Sequence, residues 1–400
     1  MQYKYDISII GGLGHVGLPL GIMFASKGMK VNLLDINKKN AKIVQSGKMP
    51  FTEYGSEKIL KKVIKSKKLS ISTSLKNLTY SRTIVITVGT PLDQYNNPNL
   101  KEIMSPIKEI KKYLKNGQLI IIRSSVFPGT CQNIYNYLTK GLDVHISYCP
   151  ERIKQGYAIE ELSKLPQIVS GFSNEACEMA SILFSKITKK IIRSTIKEAE
   201  LIKLFTNSYR YIQFAMANQF YMMCEDNDLD YDNIRSMMSE SYERVTDLPS
   251  AGLAAGPCLL KDTMQLSAFY KHNFLLGHSS MLVNEGLPSF IISKIEKKMN
   301  LNSIKVGLLG MAFKADVDDI RDSLSFKFKK ELNFKGANVI CSDRFIENRK
   351  DLVDEKTLIK SSDLIIICAP HTIYKKIDFN NKIVIDIWNI LNQKQNFLTL

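Results

Sequence analysis

Gly256-Pro257-Cys258-Leu259-Leu260-Lys261-Asp262 places a thiol, an ammonium and a carboxylate within seven residues. Following a loop, the run reads as a helix start with Pro257 and Cys258 in the first turn. Backbone amides there lack helical partners, and together with Lys261 they favour the thiolate, the nucleophilic form of cysteine. Asp262, one turn on, faces the same way. The competing reading of Cys258 is a small residue kept for packing. The other six cysteines (131, 149, 177, 224, 341, 368) lie mostly in apolar context and form no CxxC pair. Their spacing suggests neither a disulfide framework nor a metal site.

A second set lies in EAELIKLFTNSYR, where Lys203 and Asn207 are four apart and Glu200 and Arg210 are three from their neighbours. A helix would project all four from one face. A solvated stripe is the plainer reading of that helix taken alone. A third set opens the chain: the strand Asp6–Ile10 runs into Gly11-Gly12-Leu13-Gly14-His15-Val16-Gly17, a GxGxxG at Gly12, Gly14 and Gly17. Glycines at these positions allow a tight turn and close approach of backbone to a pyrophosphate. Asp35 ends the next strand, eighteen residues after Gly17, at the place of a carboxylate that grips a ribose. It would repel a 2′-phosphate, so NAD is expected over NADP, with Lys38 and Lys39 the contrary signal. Val88-Gly89-Thr90-Pro91, Arg123-Ser124-Ser125 and Pro150-Glu151-Arg152 also end strands, and in a doubly wound sheet they would border one crevice.

The elements that must carry these groups follow from periodicity. DISIIG, KVNLLD, TIVITVG, LIIIRSS, VHISYCP and QIVSG alternate with helical stretches, a βαβ series and hence a parallel sheet. A long helix is expected from Thr195 through Asp226, then shorter helices and a loop at Leu248–Pro257. Strands return as KVGLLG, ANVICSD, LIIICAP and KIVIDIW. The expected fold is α/β, two Rossmann-like parallel-sheet domains flanking a central all-helical domain, with boundaries at 1–196, 197–298 and 299–400. The chain has 400 residues, 44% hydrophobic and 24% charged, a globular composition large enough for several cores. It contains no apolar run of membrane-spanning length, and its start lacks the apolar core of a secretory signal, so a cytoplasmic protein without a membrane partner is expected. The net charge of +16 comes from lysines scattered through every segment. That distribution, without aromatic interleaving, argues for a solvated surface or an anionic small substrate and against nucleic acid.

With these residues in view, the chain resembles the nucleotide-sugar 6-dehydrogenases, the group acting on UDP-glucose, UDP-N-acetylmannosamine and GDP-mannose. The resemblance covers essentially the whole chain. It rests on IIGGLGHVGLPL, VGTPLD, RSSVFPGT, YCPERIKQGYA, EAELIKLFTNSYR, GPCLLKDT and VGLLGMAFKADVDDIRDS, in the family's order. It implies a twofold oxidation of a primary alcohol to a carboxylate by two NAD in succession, in a cleft, with Cys258 forming a thiohemiacetal and then a thioester. Lys203 and Asn207 match oxyanion-stabilising positions, and Asp262 and Glu151 match carboxylates that handle protons and water. Gly12, Gly14, His15, Val16, Gly17, Asp35, Thr90, Ser125, Lys261 and Arg321 fall at cofactor positions. Glu151, Arg152, Lys203, Asn207, Arg244, Gly252, Phe313 and Lys314 fall at positions for the UDP- or GDP-sugar. A homodimer through the central helix is also implied; no metal is.

Several departures bear on the substrate. Ser124-Ser125 stands for Ser-Thr, Gly252-Leu253-Ala254-Ala255-Gly256 for a loop often richer in glycine, Gln155 for a frequent Glu, and Asp386-Ile387-Trp388-Asn389 lacks the family's Arg. Pro257 replaces a His frequent in the UDP-N-acetylmannosamine group and points away from that sugar. A 6-phosphogluconate-type dehydrogenase would share the first two domains but leaves Cys258 and the last α/β domain unaccounted for. A non-catalytic nucleotide-binding protein would not need Lys203, Asn207 and Cys258 together.

Overall fold

The computed structural model describes residues 3–347, 349–379 and 381–391; the remainder of the expected last domain, 392–400, lies outside the described residues. The chain divides into two compact units, Met1–Thr206 and Asn207–Leu400.

The first unit is built on eight strands: β1 (Tyr5–Ile10), β2 (Val31–Leu34), β3 (Leu69–Ser72), β4 (Ser81–Ile86), β5 (Leu119–Ile122), β6 (His145–Tyr148), β7 (Gln167–Gly171) and β8 (Ile191–Arg193). Their order, β3-β2-β1-β4-β5-β6-β7-β8, is doubly wound. Ile7 and Ile9 on one face of β1, and Ile10 on the other, are buried in separate apolar clusters, because helices cover both faces of a parallel sheet. The register pairs Ile10 with Leu34 and Ile86, Ile86 with Ile122, and Ile122 with Tyr148. Five strands therefore end in one row, and the turns that follow them share an edge. One local expectation fails: β7 runs antiparallel to β6. Apolar runs mark a strand but carry no direction, and the connection here holds only the short helix Ala158–Lys164.

The second unit contains β9 (Lys305–Leu309), β10 (Asn338–Ser342), β11 (Leu364–Ile367) and β12 (Ile383–Ile385), all parallel in the order β10-β9-β11-β12. The helix Ile196–Asp226 begins one residue from its expected start, and the helix Leu275–Lys298 ends where the helical middle was expected to end. Ala217 and Tyr221 of the first, and Leu287 and Ile291 of the second, share one apolar cluster with Val306, Leu308 and Phe328. One face of the second sheet thus shares a core with the helices after Thr206, while Leu309, Ile365 and Ile367 on its other face belong to a separate cluster. Among the described residues no helix is long and apolar enough to cross a membrane.

Candidate active site

In the first unit the glycine turn has a distinct reason for each glycine. A Cβ on Gly12 would lie 2.8 Å from the Ile9 carbonyl oxygen, and one on Gly17 would lie 2.4 Å from the Gly11 oxygen, so backbone packing forbids side chains at both. Gly14 is different: its nearest neighbour would be 3.5 Å away and the residue is exposed, leaving the backbone open to a ligand. The helix Gly17–Ser26 starts at the end of this turn, and Val16 is its N-cap. Asp35 accepts from Leu13 N at 3.0 Å through Oδ2 and from Asn37 N at 2.9 Å through Oδ1, which fixes the carboxylate beside the turn. His15 packs against Phe51, its ring tilted by 37°, and meets Gln155 at 3.1 Å. Thr90 Oγ1 donates to the Ser125 carbonyl at 2.5 Å, joining the ends of β4 and β5. Ser124 is buried and donates to Val88 O, so of the two serines Ser125 is the one partly open. An exposed glycine backbone, a helix N-terminus and a strand-end carboxylate are what a dinucleotide's pyrophosphate and ribose require.

Glu151 and Arg152 are more engaged than the sequence suggests. The buried Arg123 guanidinium pairs with Glu151 and bonds Cys149 O at 3.2 Å and Gln167 Oε1 at 3.0 Å. The other Glu151 oxygen accepts from Arg152 N and Ile153 N. Arg152 turns its side chain to the Pro166 carbonyl. Glu200, expected to share a chemical face with Lys203, instead accepts from Gly129 N and Cys131 N at the start of the helix Thr130–Leu138. It is a helix cap supplied from elsewhere in the chain. Arg210 is exposed, whereas Glu200, Lys203 and Asn207 are buried, so the expected four-residue face reduces to Lys203 and Asn207 as candidates for chemistry.

In the second unit Cys258 is the N-cap of the helix Leu259–Phe269, one residue earlier than the first turn expected for it, with Pro257 outside the helix. The reason is local: its φ of −121° is not helical, while its carbonyl already accepts the first helical bond from Asp262 N at 2.9 Å. Cys258 is exposed. Burial pushes the Cys149 thiol up to about 12 and that of Cys341 to about 11, and holds Cys131 and Cys368 well above the ordinary thiol value. Those four stay protonated. Asp262 is fully buried; its Oδ2 accepts from Asn207 Nδ2 at 2.5 Å and its Oδ1 from Lys261 Nζ at 2.5 Å. The chain thus joins the long helix and the cysteine helix through one carboxylate. Arg321 is held above its ordinary value by its hydrogen bonds to Asp319, and a thiolate at Cys258 would act in the same direction.

The loop before Cys258 lies against the segment after β9. Gly256 N donates to Asp322 O at 3.0 Å, and a Cβ on Gly256 would come 2.4 Å from the Phe313 ring. Gly256 also has φ +100°, so no other residue fits. Lys314 lies over the Phe313 ring. Gly252 lies under the Trp388 indole, where a Cβ would be 2.2 Å from the ring. Arg244 is exposed in the short turn Glu243–Val245, over the Tyr242 ring. The second unit therefore brings together Asn207, Cys258, Lys261, Asp262 and Arg321, with Phe313 against Gly256 and Gly252 farther back along the same loop. Sequence reading missed Asn218 and Asn284, buried amides of this loop's surroundings; the available signal was an asparagine within the apolar stretch FAMANQFYMM. Among the described residues no cluster of His, Cys, Asp or Glu is arranged to hold a metal.

Comparison with known proteins agrees with this geometry. The UDP-glucose/GDP-mannose dehydrogenase family matches in three parts: its NAD binding domain over residues 5–192, its central domain over 197–285 and its UDP binding domain over 307–393. A UDP-N-acetyl-D-mannosamine dehydrogenase of Methanocaldococcus jannaschii is 31% identical over 96% of this chain and 92% of its own. The structure of a UDP-D-ManNAc dehydrogenase from Pyrococcus horikoshii superposes with a TM-score of 0.90 at 27% identity, covering 98% of this chain and 97% of the other. A UDP-glucose dehydrogenase from Pyrobaculum islandicum shares the fold at a TM-score of 0.89 and 21% identity, covering 99% and 97%.

Proposed function

The chain belongs to the UDP-glucose/GDP-mannose dehydrogenase family, and from that premise we propose that it oxidises the primary alcohol of a UDP-N-acetylhexosamine to the carboxylate. It is an NAD-dependent nucleotide-sugar dehydrogenase. NAD, when bound, supplies the hydride acceptor for each of the two oxidations. Gly12, Gly14, His15, Val16, Gly17, Asp35, Thr90 and Ser125 are the residues proposed to hold it, and Lys261 and Arg321 are the further positions that the family resemblance assigns to the cofactor. We keep the functional division at 1–196 for NAD, 197–298 for helices and 299–400 for the nucleotide, which the three family matches support. Arg152, Arg244, Gly252, Phe313 and Lys314 are the proposed contacts of the nucleotide sugar.

One observation carries the chemistry: an exposed thiol at a helix N-cap stands one turn from a buried carboxylate that ties down Asn207 and Lys261. Cys258 Sγ bonds the carbon of the aldehyde left by the first oxidation, while the Asn207 amide and the Lys203 ammonium steady the oxygen that gains charge. Loss of the second hydride turns this adduct into a thioester. Water then attacks the thioester carbon, the C–S bond breaks, and the acid leaves as the thiol is restored. Asp262, with donors on both oxygens, orients Asn207 and Lys261 and steadies that water. Glu151, held by Arg123 and the amides of Arg152 and Ile153, is the second carboxylate proposed to handle the proton and the water.

The names of the similar proteins support an N-acetylated sugar and outweigh the contrary signal of Pro257. Tyr209, Met216 and Met223, spaced by seven along the long helix and all exposed, form an apolar seam that supports a homodimer through it. Seven thiols outside disulfides support a cytoplasmic setting. The test is NADH released per sugar consumed with UDP-glucose, the UDP-N-acetylhexosamines and GDP-mannose, for wild type and Cys258→Ser. Two NADH per molecule of an N-acetylated sugar, and no acid from Cys258→Ser, is the expected result. Preference for UDP-glucose would overturn the substrate, and wild-type turnover by Cys258→Ser would overturn the mechanism.

A further inference from the structure

Residues 248–255, which lead to Cys258, form no helix or strand, yet Leu248, Ala251, Gly252, Leu253 and Ala254 are buried. A buried loop must find partners for its backbone polar groups, because a lone buried amide or carbonyl is costly. Here the Tyr231 hydroxyl donates to Pro249 O at 3.0 Å, and Asn218, steadied by Asn284, serves Gly252. Asn218, fully buried on the helix Ile196–Asp226, accepts from Gly252 N at 2.9 Å and donates to Gly252 O at 3.0 Å, pairing with both backbone groups as a strand neighbour would. Its amide also donates to Asn284 Oδ1 at 2.9 Å, and Asn284 donates to Tyr211 O at 3.1 Å. That chain sets direction as well as position: turned over, the Asn218 amide would place NH₂ against Gly252 N–H and oxygen against the Gly252 carbonyl. On its other side Gly252 is covered by Trp388, whose indole donates to Cys368 O at 3.0 Å.

We infer that Asn218 and Asn284 are positioning residues for the oxidation, a relay of two amides that fixes Gly252 and so sets where the following residues present the sugar's contacts and the Cys258 sulfur. Neither touches the reacting atoms. The inference rests on the proposed roles of Gly252 and Cys258. Gly256 N on Asp322 O holds the loop again beyond Gly252, so loss of the Asn218 pair frees residues 253–255 and alters the approach to Cys258 at the N-cap, while the helix Leu259–Phe269 behind it stays in place. A displacement of that kind is felt in reaction geometry before it is felt in folding.

The experiment compares Asn218→Ala, Asn218→Asp and Asn284→Ala with wild type. Asn218→Asp can still accept from Gly252 N–H but cannot donate to Gly252 O; Asn284→Ala keeps both bonds to Gly252 but frees the amide to turn. For Asn218→Ala, kcat/KM for the nucleotide sugar should fall by about tenfold or more, while the KM for NAD stays within about twofold. The other two should fall less, in the same sense. The rate at which iodoacetamide alkylates Cys258, read by peptide mass, should change in parallel without either substrate present. Equal losses toward sugar and NAD, or a lowered melting temperature with no kinetic split, would overturn the inference. If Asn218→Ala does not fold, Asn284→Ala decides the matter by the same split. Unchanged Asn218 variants beside an inactive Cys258→Ser would sink this inference alone, whereas an active Cys258→Ser would sink the reading beneath it.

Discussion

Asp35 and Asp343 occupy the same place in two different sheets. Each follows the strand beside the first strand of its unit, and each accepts through Oδ1 from the amide two residues on, Asn37 N at 2.9 Å and Phe345 N at 2.8 Å. Each also reaches back to the turn after that first strand, Asp35 to Leu13 N and Asp343 to Met311 N and Ala312 N. Their surroundings differ. Beside Asp35 the neighbouring Ile36 is 94% exposed, and Gly14 leaves the turn open. Asp343 is covered by the buried His371, whose Nε2 lies 3.1 Å away and whose ring stacks on Phe345. His371 Nδ1 in turn accepts from Asp316 N, tying down the segment that carries Phe313 and Lys314. In the first unit a helix begins at Gly17, seven residues after β1; in the second it begins at Leu324, after the long segment that holds Phe313 and Arg321. One backbone device is thus left open in the first unit and closed by a side chain in the second.

That contrast breaks most readily at the glycines. Gly17→Ala forces a Cβ to 2.4 Å from a backbone oxygen that cannot yield. It should cost about 3 kcal/mol of stability and abolish NAD binding. Gly14→Ala, with open space around it, should leave the melting temperature unchanged and weaken NAD alone; if it destabilises as much as Gly17→Ala, the open turn is misread.

Next in size is Asp343. Burial raises its pKa, but the His371 hydrogen bond and charge and the amides of Ala312 and Phe345 outweigh it and hold the carboxyl below its ordinary value. A folded-state pKa that is depressed contributes stability in full above the unfolded value of about 4, and that stability is lost as pH falls through the folded value. Asp343→Asn should therefore lose about 2 kcal/mol at neutral pH. Melting curves of the two proteins should converge as the solution is made acidic; a gap that stays constant with pH would remove the charged carboxylate from the explanation.

The smallest effect belongs to Asp35. Asp35→Asn keeps the acceptor for Leu13 N but loses the charge, so NAD should bind about tenfold more weakly and NADP relatively better, with stability unchanged. Calorimetric titration with both nucleotides checks this, and an unaltered NADP/NAD ratio would mean that Asp35 does not face the ribose.

The open member of the pair was legible in sequence because its chemistry is local: three glycines within six residues and a carboxylate at the next strand end. The closed member was not, since His371 is distant along the chain from both the turn and Asp343. Strands and the long helix were legible from apolar periodicity, to within a residue at Ile196–Asp226. The direction of β7, the shared core behind the middle helices, and the use of Glu200 as a cap for a remote helix all depend on contacts between distant segments, which periodicity does not encode. That Cys258 stands at the start of a helix was legible, but its N-cap position depended on one backbone angle.

Trp388 is the single tryptophan of the chain, and its ring lies on Gly252. The protein therefore carries its own optical reporter at one spot. Selective excitation of indole reads the place where that loop meets the end of the second sheet, so emission colour and quenching would follow motion there in real time, without any label attached.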